Sequence, residues 1–140
     1  MSNERKGHMH KDKARTRDIY FFSQKSNQMM CVHSERAREH ARRLEEDGGV
    51  ESYEVNVQLN IDQYPYLSAV DIRASYFQTQ WTSDFMVRYR DGRREIQEIV
   101  NVEDLKKRAV IEKLELSRRY WELMQVSKWC VVLESGGEVG

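Results

Sequence analysis

The stretch Ser83-Asp84-Phe85-Met86-Val87-Arg88-Tyr89-Arg90-Asp91-Gly92-Arg93-Arg94-Glu95-Ile96-Gln97-Glu98-Ile99-Val100 decides the fold. Phe85, Val87 and Tyr89 recur at every second position, Asp91-Gly92 supplies a two-residue turn, and the chain returns through Ile96, Glu98 and Val100. That pattern predicts two antiparallel strands joined as a hairpin. A turn centred on Asp91-Gly92 sets Asp84 nearly opposite Glu98, fourteen positions later, at the open end of the hairpin. Paired carboxylates at a strand end are one way to hold a hard cation such as Mg²⁺ (or Mn²⁺) beside a phosphate. In a chain that is 33% charged, two acids also meet across a hairpin with no function attached.

Downstream, a helix is predicted from about Asp104 to Met124, with Val110, Leu114, Trp121 and Met124 on one face. A final strand, Trp129 to Leu133, follows, and its apolar run should bury Cys130. Tyr120 and Trp121 read as core residues rather than as base-stacking groups. Upstream, Tyr53, Val55, Val57 and Leu59 alternate as a half-buried strand, and Tyr64-Pro65-Tyr66 breaks or turns the chain. Ser34 is placed to cap a helix that ends at Gly48-Gly49 and carries the narrow stripe Ala37, Ala41, Leu44. Order is expected to begin at Ile19-Tyr20-Phe21-Phe22, an aromatic cluster that should bury itself. Helix, strands, helix, strand is an α/β or α+β order.

The chain's 140 residues suit a single core, taken here as residues 18–140 behind a flexible basic arm, residues 1–17. Lys+Arg and Asp+Glu balance at 23 each, which excludes a uniformly basic nucleic-acid binder and an acidic-tail protein. The balance is partitioned, because residues 1–17 hold six basic and two acidic side chains. No apolar run is long enough for a membrane span, and no signal-peptide core is seen, so a cytoplasmic protein with no membrane partner is expected. Cys31 and Cys130 are too few and too far apart for a disulfide framework or a paired-cysteine zinc site. His8 and His10 in the arm read as an accident of composition. Cys31, His33 and His40 would make a metal triad only if the loop folded back on the helix.

The hairpin resembles the centre of the PD-(D/E)XK nuclease fold, in which an Asp opens one strand and a Glu-x-Lys closes the next. Lys113 through Trp121, followed by Trp129 to Glu134, is similar to the TnsA-type endonuclease subunit of heteromeric transposases, as is Leu44 through Glu54. The likeness runs from about Ser34 to Glu134. It implies a restriction-endonuclease-like α/β core: a central mixed sheet of four or five strands flanked by helices. It also implies a subunit that cuts the 5′ ends of a transposon with Mg²⁺, beside an RNase H-type transposase and an ATP-dependent regulator. Asp84 and Glu98 would be the catalytic and metal-binding acids. The family's lysine position falls on Val100, and its helical glutamate falls on Ala37, with Glu35 and Glu39 each about 200° away around the helix. Asn101, Lys106 or Lys107 are the candidates to replace the lysine.

Two functional readings follow. In one, the chain keeps the nuclease fold and its DNA and protein contacts and does not cut. In the other, it is an active, divergent Mg²⁺-dependent endonuclease of a phage or mobile element. For double-stranded DNA, Arg15 and Arg17 of the arm, with Arg5, Lys6, Lys11 and Lys13, and Arg88, Arg90, Arg93 and Arg94 at the hairpin tip are the candidate backbone contacts.

Overall fold

The computed structural model describes residues 17–134. The predicted hairpin is its centre: β4 (Thr82–Tyr89) and β5 (Arg94–Asn101) pair antiparallel with Phe85 opposite Gln97 and Met86 opposite Ile96. The turn is one residue longer than expected. Tyr89 N–H donates to Arg93 O at 2.9 Å and Gly92 N–H donates to Tyr89 O at 3.0 Å, so the loop is Arg90-Asp91-Gly92. Gly92 closes it at φ 94, the left-handed position that such three-residue loops reserve for glycine.

Around that hairpin the sheet runs β3-β4-β5-β6, with β3 (Val50–Gln58) antiparallel to β4 and β6 (Lys128–Glu134) parallel to β5. A parallel neighbour requires a crossover, which α2 (Arg108–Leu123) provides. Alternation along β4 assigns the two faces. Phe85 and Val87 join Tyr53, Ala41 and Leu44 in one core, under α1 (Glu35–Glu46). Met86 joins Ile96, Leu116, Tyr120 and Trp121 in the other, under α2. The fold is therefore a four-stranded mixed sheet between helices, as the sequence led us to expect. Among the described residues no helix is long and apolar enough to cross a membrane.

Five local expectations are corrected. Tyr53, Val55, Val57 and Leu59 do not share a face: Tyr53 and Val55 belong to the α1 core, Val57 and Leu59 to the α2 core. Asn56 lies between them at φ 51, and this left-handed residue turns the strand over without breaking the pattern of the sequence. Its side chain donates to Cys31 O at 2.9 Å. The second long helix starts at Arg108, after a separate 3₁₀ turn over Val102–Lys106. Its buried stripe is Glu112, Leu116, Ser117, Tyr120 and Trp121; of the expected face Trp121 is buried, Val110 and Leu114 are half-buried and Met124 is exposed. The first helix ends at Glu46 and leaves through an extended Asp47, so neither Gly48 nor Gly49 is its left-handed cap. Cys130 is only half-buried on β6, and desolvation raises its thiol pKa.

The fifth correction is at the N-terminus. Ile19-Tyr20-Phe21-Phe22 is not a self-buried cluster but β1 (Ile19–Ser23), paired antiparallel with β2 (Gln28–Val32) as a second hairpin. Phe21, Met30 and Val32 enter the α1 core, while Tyr20, Phe22 and Met29 face outward. Glu45 of α1 fastens this hairpin, accepting hydrogen bonds from the hydroxyls of Ser23 and Tyr53.

Candidate active site

Asp84 and Glu98 do meet at the open end of the β4–β5 hairpin. The last regular pair is Phe85 with Gln97; one step further the two carboxylates replace the ladder. Glu98 Oε1 accepts from Asp84 N–H at 3.0 Å, and Asp84 Oδ2 accepts from Ile99 N–H at 2.8 Å. Each acid thus satisfies a backbone donor that splaying strands would leave unpaired, the condition buried backbone groups must meet. Glu98 is 5% exposed, and its other oxygen accepts from Ser117 O–H on α2 at 2.6 Å.

Ser117 is the hub of this arrangement. Its oxygen accepts from Trp129 Nε1–H at 2.9 Å and lies 3.3 Å from Ser83 Oγ, which accepts from Trp121 Nε1–H at 2.8 Å. Since the Ser117 proton goes to Glu98, Ser83 is the donor between the two serines. Two indoles and two hydroxyls therefore converge on one carboxylate. Beside it, the Asp84 carboxyl is raised from 3.8 to about 6, first by desolvation and then by the neighbouring Glu98 charge, with the Ile99 amide and the Lys113 charge pulling the other way.

A cavity of about 160 Å³ opens on this pair, lined by Asp84, Glu98, Val100, Asn101, Asp104 and Lys113 among others. Val100 is where the family's lysine would stand, and it lines the cavity with an apolar side chain. Asn101 reaches the cavity, as anticipated; Lys106 and Lys107 do not line it, and Lys107 pairs with Asp104 at 2.8 Å. Ala37, Glu35 and Glu39 do not line it either: α1 covers the opposite face of the sheet, where Ala37 packs on the Phe85 core.

Sequence reasoning missed Lys113, Ser117 and Asp104. The first two are one helical turn apart on α2, a spacing that places them on one face and could have marked it as polar.

The proposed DNA contacts are mostly occupied by intramolecular partners. Arg88 pairs with Glu54 at 3.0 Å, Arg93 with Asp91 at 2.8 Å and Glu95 at 3.0 Å, and Arg90 donates to Gly48 O at 3.0 Å. Arg94 is on β5, its side chain half-buried, and Arg17 pairs with Glu35 at 3.3 Å. Arg15, the rest of the basic arm and His8 and His10 lie outside the described residues. Tyr120 and Trp121 are in the core. His40 is apart from Cys31 and His33: buried against Phe85, it donates from Nε2 to Gln97 Oε1 at 2.7 Å, and desolvation lowers its pKa.

A divalent cation takes several oxygen ligands and, in a nuclease, a cationic partner for the phosphate. Asp84 and Glu98 supply two carboxylates, but three of their four oxygens already accept internal hydrogen bonds. Among the described residues no third His, Cys, Asp or Glu joins them at ligand distance. These hydrogen bonds tie β4, β5 and α2 together around the acid pair.

Residues 49–134 match the model of a family described as TnsA-like endonuclease N terminal. No curated protein matches the chain.

Proposed function

Because the chain belongs to the TnsA-like endonuclease N-terminal family, we propose that it is a DNA-processing subunit of a heteromeric transposase that keeps the nuclease fold as a DNA- and protein-binding module and does not cut. Its partners would be double-stranded transposon ends, an RNase H-type transposase and an ATP-dependent regulator, in the cytoplasm. The observation that carries the reading is Glu98, held by Ser117 and the Asp84 amide beside an apolar Val100. Loss of one preorganised charge stabiliser costs on the order of 10²–10³ in rate, and here the ligand set is short as well. Binding to DNA would rest on the phosphate backbone, and it would weaken with salt.

The test is nicking of supercoiled and transposon-end DNA with Mg²⁺ or Mn²⁺, with the transposase present and absent. The expected result is salt-sensitive binding and no nicks. Cleavage abolished by Asp84→Ala overturns the proposal in favour of the active, Mg²⁺-dependent endonuclease. One observation favours that second reading: Lys113 and Asp104 line the same cavity as the acid pair. Under it, Lys113→Ala would also abolish cutting.

A further inference from the structure

The open end of the other hairpin carries a different chemistry. Pairing of Ile19 with Val32 and Tyr20 with Cys31 extends by one step to set Asp18 opposite His33. Cys31 and His33 are two residues apart on one strand, so they share a face. It is the outward face, since Phe21, Met30 and Val32 take the inward one. Asp18, Cys31 and His33 thus converge, and their ligand atoms all lie within 4.8 Å of one another. His33 Nδ1 and Asp18 Oδ1 are already 3.1 Å apart. Tetrahedral Zn²⁺, with bonds of about 2.0 to 2.3 Å, needs ligand atoms about 3.3 to 3.8 Å from each other, which small rotations of these side chains supply. Asp18 and His33 are exposed and Cys31 is half-buried, so an ion reaches the group directly from solvent.

We infer that Asp18, Cys31 and His33 form a Zn²⁺ site. One thiolate, one imidazole and one carboxylate suit a borderline-soft ion and not Mg²⁺ or Ca²⁺, which favour all-oxygen shells. Three protein ligands leave the fourth position to water. The ion would join the start of β1 to the end of β2, stapling the open end of a two-stranded sheet whose inward face packs on the α1 core.

The test uses the full reduced chain and the metal alone. Titration with Zn²⁺ against a chromophoric chelator should show about one tight equivalent, and Co²⁺ should give a thiolate charge-transfer band with tetrahedral d–d intensity. Cys31→Ser should erase that band. Cys31→Ser, His33→Ala and Asp18→Asn should each weaken Zn²⁺ binding by roughly tenfold or more, with circular dichroism unchanged. Paired His8→Ala and His10→Ala, and Asp84→Asn, should leave the affinity as it was. A Co²⁺ spectrum with no thiolate band, or Zn²⁺ affinity retained in Cys31→Ser, overturns the site. So does affinity lost only with His8 and His10, which would place the ion on the arm.

Discussion

The two hairpins end alike on paper and differently in space. Each sets an acid across the open end from a second polar residue, Asp84 from Glu98 in one and Asp18 from His33 in the other. Over the first pair lies α2, whose Ser117 draws Glu98 into a network with two tryptophans. Over the second lies nothing among the described residues; Asp18 and His33 share a contact and face water. Cover, and not the identity of the paired residues, decides whether such a pair becomes part of the core or remains open to a ligand. A buried carboxylate must be satisfied internally, whereas an exposed one is satisfied by solvent and gives that up readily.

The sharpest way to break this contrast is Glu98→Ala. It removes the acceptor of the Ser117 hydroxyl and of the Asp84 amide and leaves a void at the strand junction. The expected cost is about 3 kcal/mol, read from urea unfolding. A loss under about 1 kcal/mol, the range of a solvated surface group, would show that the carboxylate does not lock the strands. Ser117→Ala should rank second, at about 2 kcal/mol, because it removes the donor to Glu98 and the acceptor for the Trp129 indole while keeping the helix.

Asp84→Asn tests the electrostatic half of the comparison. Its folded pKa of about 6 lies above the ordinary 3.8, so the folded state holds that proton more tightly than the unfolded chain. Stability contributed by this group therefore falls as pH rises from about 4 to 6, and the deficit is complete above 6. Asparagine keeps an oxygen for the Ile99 amide and carries no charge. The variant should be more stable than the parent by about 1 to 2 kcal/mol at pH 8, below the roughly 3 kcal/mol ceiling that a two-unit shift sets, and show no gain near pH 4. A pH-independent difference would mean that desolvation of the ionised form is not what raises this carboxyl.

Legibility followed the same division. The central hairpin was readable because alternation, Asp91-Gly92 and the Asp84–Glu98 spacing are local signals, and register follows from the turn. Even the extra loop residue left Asp84 and Glu98 opposite each other. The β1–β2 hairpin was not readable because its strands are short and its turn, Gln24-Lys25-Ser26-Asn27, lacks glycine; Asn27 takes the left-handed conformation instead. The turnover at Asn56 was invisible for a related reason: a single left-handed residue changes the face of a strand and leaves the pattern of apolar residues intact. In the candidate site, Asp84, Glu98, Val100 and Asn101 were found because they lie on or beside one hairpin. Ser117 and Lys113 were missed because tertiary packing alone brings α2 over its end.

The smallest expected effect probes the uncovered face directly. Met29 pairs across the strands with Phe22, and both point outward, Met29 61% and Phe22 52% exposed. If nothing packs on that face in the isolated chain, Met29→Gln exchanges one unbranched side chain for another of similar length in water. Its change in stability should stay within about 0.5 kcal/mol, at low and high protein concentration alike. A larger loss that grows with concentration would mean that a second copy covers the hairpin, since association stabilises only the state it binds. In that case the outward face would be a buried one, and the difference between the two hairpins would lie in what covers them, a helix of the same chain or a surface of another.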